Sequence, residues 1–329
     1  MNKKRWLALA ITGVLLIVYI VTDVLAGEKT TADSSWAKAL NPLANQPSFT
    51  TENYRVGLGQ TIAILRVKGV IQDTGDLIPV STESYNHRSF LKQLEDAFEN
   101  PEIKAIVLAV NSPGGGVYES DEIYQKITKL KEKYSKPLVV YMENMAASGG
   151  YYISVPADKI VANRYTMTGS IGVIMATYNL SELADKIGIE EVVIKSGKNK
   201  DIMSPMRDMT KEERQILQGM IDEYYGYFVD VVAEGRNMER EKVIEIADGR
   251  IYTATQAKSL GLVDELGDLD KAIATAGEMI QEAFPNVIEY KYRGFDLKRF
   301  FSMLTPLDVS RVKEELQKST VPTAMYLYR

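Results

Sequence analysis

The stretch IKAIVLAVNSPGGGVYESDEIYQKITKLKEKYSKPLVVYMENMAASGG, Ile103 to Gly150, decides the fold class. It opens with a continuous apolar run, Ile103–Val110, of the kind a strand has when both of its faces are covered. NSPGGGV breaks that run. YESDEIYQKITKLKEKYS then reads as a helix, and KPLVVYMEN, Lys136–Asn144, as a second buried strand. A strand, a helical crossover and a second apolar strand make a βαβ unit. Such a unit requires a parallel sheet with right-handed connections, the mark of an α/β protein.

The alternation continues on both sides. TIAILRVKGVI (Thr61–Ile71) is strand-like, and SFLKQLEDAFEN (Ser89–Asn100) is an amphipathic helix with Phe90, Leu91, Leu94 and Phe98 on one face. KIVANR (Lys159–Arg164) and EEVVIKS (Glu190–Ser196) read as further strands. Thr210 and Glu213 form a capping box at the start of a long helix. Its apolar face carries Ile216, Leu217, Met220, Ile221, Tyr224, Tyr225, Phe228 and Val229, which is the pattern of a core or subunit contact rather than a cofactor site. Two more helical patterns lie around Thr253–Leu260 and Asp268–Gln281. The expected catalytic α/β domain is 60–290. It is preceded by a weakly structured linker or arm, 23–59, and followed by a tail, 291–329, that is basic around Lys291, Arg293, Lys298 and Arg299.

The chain starts MNKKRWLALAITGVLLIVYIVTDVLAG. Residues 1–5 are basic and 6–22 are almost uninterrupted in apolar character. Such a run spans about 25 Å as a helix, close to a hydrocarbon core. A single-pass transmembrane helix is expected, with residues 1–5 in the cytoplasm and the catalytic domain outside. The competing reading is a cleaved signal peptide with Val24-Leu25-Ala26 as the cleavage site.

Bulk properties exclude several functions. The net charge is −5, which argues against nucleic acid as a partner. Cysteine is absent, so there is no disulfide, thiol nucleophile or cysteine-based zinc site. There is one histidine, His87, in the polar segment SYNHRSF, which looks like surface. No metal or cofactor is expected.

Two small-residue segments carry chemistry. The three glycines of NSPGGGV, between a buried strand and a helix, let backbone N–H groups approach a ligand closely. No Gly-Lys-Ser/Thr follows, so this is not a P-loop. Ser148, in Ala146-Ala147-Ser148-Gly149-Gly150, lies where a strand turns into a helix at the C-terminal edge of the sheet. The frame is not G-x-S-x-G, and a serine there is equally a close-packing residue. A serine nucleophile needs a base. His87 is poorly placed for that role, so the alternative is a lysine, as in Ser–Lys pairs. Lys195, Lys198 and Lys200 in KSGKNKDI are the candidates, and spacing does not choose among them.

NSPGGGV, MAASGGYYIS, TGSIGV, SGKNKDIMSP and GRIYTATQAKSLGLVDELG occur in this order over Thr61–Gly267. In this the chain resembles the signal peptide peptidase A family of bacterial membrane serine proteases, in its short Gram-positive form. The resemblance implies a Clp protease/crotonase-like fold, a Ser–Lys dyad and a dome-shaped or ring-shaped homo-oligomer. By the same resemblance Ser148 is the nucleophile, Lys200 the general base and Ser170 a residue that orients the lysine amine. The oxyanion hole is the N–H of Gly149 with that of Gly115, or alternatively Gly114. The implied substrates are signal peptides left in the membrane after secretion. The C-terminal STVPTAMYLYR, with its small and apolar residues, is expected to reach an active site and to be bound or trimmed there. The other classes weighed are a crotonase-like acyl-CoA hydratase or isomerase, whose enolate the glycines would suit, and an inactive membrane scaffold.

Overall fold

In the computed structural model the described residues are 49–74, 85–292 and the backbone of Met325–Leu327. The segments 6–22 and 23–48, expected to be anchor and linker, lie outside them. All elements below belong to one unit, Phe49–Asp73 with Glu83–Tyr292 and Pro322–Arg329.

The βαβ unit forms as its pattern requires. β1 (Phe49–Arg55) and β2 (Thr61–Lys68) lead to helix α1 (His87–Glu99). β3 (Ile103–Ser112), the short β4 (Gly114–Gly116), helix α2 (Val117–Tyr134) and β5 (Leu138–Ala147) follow. α3 (Gly149–Tyr152), β6 (Lys159–Ala162), β7 (Met167–Gly169) and α4 (Ser181–Ile187) come next. The remainder is α5 (Lys211–Arg236), α6 (Arg240–Ile246), β8 (Ile251–Thr253), α7 (Ala254–Ser259), β9 (Glu265–Leu266), α8 (Leu269–Met279), β10 (Asn286–Tyr292) and β11 (Met325–Leu327).

Among the described residues the main sheet has nine strands, ordered β1-β10-β2-β3-β5-β6-β9, with β7 beside β5 and β8 beside β7. β10, β2, β3, β5, β6 and β9 run parallel. Both faces are covered, which is why β3 is apolar throughout rather than alternating. Ile106, Leu108 and Val110 point into the larger core with Phe90, Leu94, Ile123 and Ile127 from α1 and α2. Ala105, Val107 and Ala109 point the other way, onto Ala272, Ile273 and Ala276 of α8.

Two expectations need correction. Phe49–Arg55, placed in the linker, is an edge strand antiparallel to β10. Five of its seven residues are exposed, so the hydrophobic alternation that marks a strand is missing. Glu190–Ser196 forms no strand. Its apolar residues are exposed, Val192 and Ile194 to 80% and 98%. The long helix has its capping box, but only its second half buries apolar side chains, Phe228, Val229 and Val232. Ile216 and Met220 stay exposed.

Candidate active site

The C-terminal ends of β3 and β5 bring the two small-residue segments together, pairing Ser112 with Ala146. β5 ends at Ala147, and the chain turns at Ser148 with φ 54° and ψ −120°. A non-glycine residue in this region costs about 1–3 kcal/mol and persists only where its surroundings enforce it. The enforcing contact is visible. Ser148 N–H donates to Gly169 O at 2.8 Å, and α3 starts at once with Tyr152 N–H donating to Ser148 O at 2.9 Å. The result is a sharp strand-to-helix elbow, although the sequence lacks the usual elbow frame. Ser148 is 1% exposed rather than open at the sheet edge. Its Oγ has no hydrogen-bond partner among the described residues.

Of the three glycines in β4, two have their N–H groups occupied. Gly114 N–H donates to Ser112 Oγ at 3.0 Å, and Gly116 N–H donates to Ile71 O at 2.8 Å. Ile71 N–H in turn donates to Gly114 O at 2.9 Å. Backbone groups alternate along an extended strand, so Gly115 N–H and C=O face the opposite edge of β4. Gly115 N–H is thus turned toward β11 and away from Ile71, whereas that of Gly114 is taken by Ser112. A side chain at Gly115 would strike the backbone of Ile71, and one at Gly149 would strike Ser120 Oγ. Both positions therefore need glycine.

The edge of β4 that Gly115 faces carries β11. Met325–Leu327 runs antiparallel to Gly114–Gly116 with Tyr326 opposite Gly115, and it also packs beside Gly149–Tyr152. A stretch of peptide backbone thus lies along the glycine strand and next to the serine elbow. Ser170, 6% exposed, follows the Gly169 that receives the Ser148 N–H, and its own N–H donates to Arg250 O at 2.8 Å.

Lys200 is exposed, on a turn between β7 and α5. No hydrogen bond joins it to Ser148 or Ser170, and its Nζ has no hydrogen-bond or ion-pair partner among the described residues. The other two lysine candidates are engaged. Lys195 Nζ donates to Asp201 at 2.6 Å and to Lys198 O at 3.0 Å, and Lys198 Nζ pairs with Glu212 at 2.6 Å. The turn carrying Lys200 is anchored through its neighbour. Arg207 donates to Asp201 at 2.8 Å and 3.0 Å and, through its other edge, to Glu213 at 2.9 Å. Glu213 is also the capping-box residue, accepting Thr210 N–H at 2.9 Å. Arg207, then Lys195, hold the Asp201 carboxyl far below the usual range. Arg207 and then the Thr210 backbone hold Glu213 down to about 2.

His87 is not at the surface. It is 3% exposed, with Nδ1 2.5 Å from Tyr85 Oη and Nε2 2.7 Å from Glu122. Both ring nitrogens are occupied, so it is not a base for Ser148. No group of three or more metal-ligating side chains occurs among the described residues. None of the described helices is long and apolar enough to cross a membrane.

A buried serine on a strained elbow, its Oγ unpartnered, beside a glycine strand whose outer edge takes an extended peptide, is the arrangement of a serine peptidase. The profile described as "Peptidase family S49" matches residues 130–282. A protein of Enterococcus faecium named "Putative signal peptide peptidase SppA" is 42% identical over 294 residues, 88% of this chain and 85% of that one. Protease 4 of Salmonella typhi is 39% identical over 221 residues, 67% of this chain and 35% of that one. The chain belongs to the S49 signal peptide peptidase A family, and this sets aside the acyl-CoA reading. Among solved structures, a membrane-bound stomatin-specific protease has a TM-score of 0.43 at 15% identity, covering 66% of this chain and 84% of its own. A ClpP1 from Listeria monocytogenes has a TM-score of 0.41 at 18% identity, covering 64% and 94%.

Proposed function

We propose that this protein is a membrane-anchored serine endopeptidase that degrades remnant signal peptides with a Ser148–Lys200 dyad, on a Clp/crotonase-like fold, in the extracytoplasmic space. The observation that carries the reading is the Ser148 elbow, with its unpartnered Oγ beside Gly149 and the glycine strand that pairs with Met325–Leu327. An extended peptide lies antiparallel to Gly114–Gly116, as Met325–Leu327 does, and the chain's own C-terminus is a first occupant of that cleft. Ser148 Oγ attacks the scissile carbonyl while the neutral Lys200 amine takes its proton. The N–H groups of Gly115 and Gly149 receive the oxyanion, each such donor contributing about 3–4 kcal/mol. The lysine then protonates the leaving amine, and water releases the acyl-enzyme. Ser170, next in chain to the residue that fixes Ser148, orients the lysine amine.

Lys200 comes from a second copy of the chain. The unpartnered amine and the unpartnered Ser148 hydroxyl support this, as does the surface around the lysine. Tyr178, Ile187, Ile189, Val192 and Ile194 lie exposed within the same excursion of the chain, and an exposed apolar patch of this kind is a partner surface. Homo-oligomerisation therefore completes the site as well as enclosing it. The test is a fluorophosphonate probe with mapping of its adduct. The reading predicts label on Ser148 in the wild type and none in Ser148→Ala. Label elsewhere, or hydrolysis retained in Ser148→Ala, contradicts it.

A further inference from the structure

The hydroxyl of Ser120 has no role in the mechanism above, yet it stands against the oxyanion donors. Ser120 lies in the first turn of α2 and is fully buried. Among the described residues three buried side-chain polar atoms lack a hydrogen-bond partner, and two of them are Ser120 Oγ and Ser148 Oγ. Several helical hydroxyls in this chain are satisfied by the carbonyl four residues back, although Thr275 Oγ1 in α8 is not. Thr128 donates to Tyr124 O at 3.0 Å, Ser154 to Gly150 O at 2.7 Å and Ser259 to Thr255 O at 3.0 Å. Ser120 makes no such bond to Gly116. Its Oγ lies instead 2.4 Å from the point a Cβ of Gly149 would occupy, a point itself 3.2 Å from both Gly114 Cα and Gly115 N. The hydroxyl therefore packs against Gly149, close to Gly114 and Gly115. A buried hydroxyl without a partner is destabilising.

We propose that Ser120 Oγ–H is a third donor of the oxyanion hole. This rests on the reading of Ser148 as nucleophile. As the Ser148 Oγ–C bond forms and its proton passes to the base, the carbonyl π pair moves onto oxygen. Ser120 donates to that oxygen, and the bond relaxes when the pair returns and the amine leaves. Ser120 neither gains nor loses a proton.

The two possible roles of Ser120 predict opposite behaviour in the nearly isosteric Ser120→Ala variant of the full-length assembled protein. A third donor gives a kcat about 10- to 100-fold lower, KM within about twofold, and weaker inhibition by a peptide aldehyde in parallel. The melting temperature is then unchanged or higher, because an unmet hydroxyl has been removed. Ser120→Cys, similar in size but a weak donor, loses kcat in the same way. An unchanged kcat in Ser120→Ala overturns the proposal, and so does a loss accompanied by a lower melting temperature or by disassembly. Fluorophosphonate labelling separates the two levels. A wild type that labels on Ser148, with unchanged kcat in Ser120→Ala, removes only the role of Ser120. A wild type without that label removes the nucleophile reading, and the proposal with it.

Discussion

The Ser148 half and the Lys200 half of the candidate site are built in opposite ways. Ser148 stands at the end of a central strand, within a core of fully buried residues, held by backbone bonds from Gly169 and Tyr152. Lys200 stands on a turn without strand or long helix, in an excursion whose apolar side chains face outward. One half is finished by the folding of a single chain. The other is locally pinned by Arg207, and its lysine amine has no hydrogen-bond partner among the described residues. Under the proposed function the base comes from a second copy of the chain, and hydrolysis is then conditional on assembly.

The comparison sharpens into a graded series. Ser148→Ala and Lys200→Ala each lower kcat by at least about 10⁴-fold while leaving assembly intact, as measured with a peptide substrate and light scattering. Gly115→Ala comes next. Its Cβ strikes the Ile71 backbone and displaces the proposed oxyanion donor, so kcat/KM falls about 10²- to 10³-fold. On the lysine side, Arg207→Ala releases Asp201 and Glu213 together. A base displaced by an ångström lowers kcat about 10- to 100-fold with KM little altered. Arg207→Lys keeps the charge but not the two-edged bridge, and does not restore kcat.

The smallest effect is in pH. The Glu213 carboxyl titrates at about 2 in the folded chain against an ordinary 4.5, so the stability it lends is complete above about pH 4.5 and drains away toward pH 2. Asp201, shifted in the same direction, adds to this. Limited proteolysis near residues 195–209 is therefore expected to quicken at pH 3 relative to pH 6, before the β3–β5 core opens. Equal cleavage at both values would show that the carboxylate network does not hold the turn.

How much was legible follows the same division. Ile103–Gly150 could be read because its signals are local: an apolar run for a strand covered on both faces, then glycines, then a helical period. The Ser148 frame and the triple glycine fall at strand ends for that reason. Glu190–Ser196 has a strand's composition but no strand beside it, and sequence pattern does not reveal whether a partner lies in the same chain. His87 reads as surface because its neighbours in sequence are polar, while the carboxylate that receives it, Glu122, is 35 residues away. Ser120 is similar: a serine in a helix's first turn carries no signal until α2 is laid against Gly149. The strand Phe49–Arg55 escaped because an edge strand with mostly exposed residues has no apolar alternation. Which lysine is free could not be read at all, because it depends on Asp201 and Glu212 engaging the other two.

The central claim, that one catalytic pair is shared by two chains, is tested most directly by co-expressing Ser148→Ala and Lys200→Ala and measuring peptide hydrolysis by the purified mixed assembly. Each variant alone is inactive. If Lys200 of one chain serves Ser148 of another, random assortment in a symmetric oligomer restores about a quarter of wild-type activity. A mixed assembly of both variants with no activity would contradict the account and place serine and lysine of each site on the same chain.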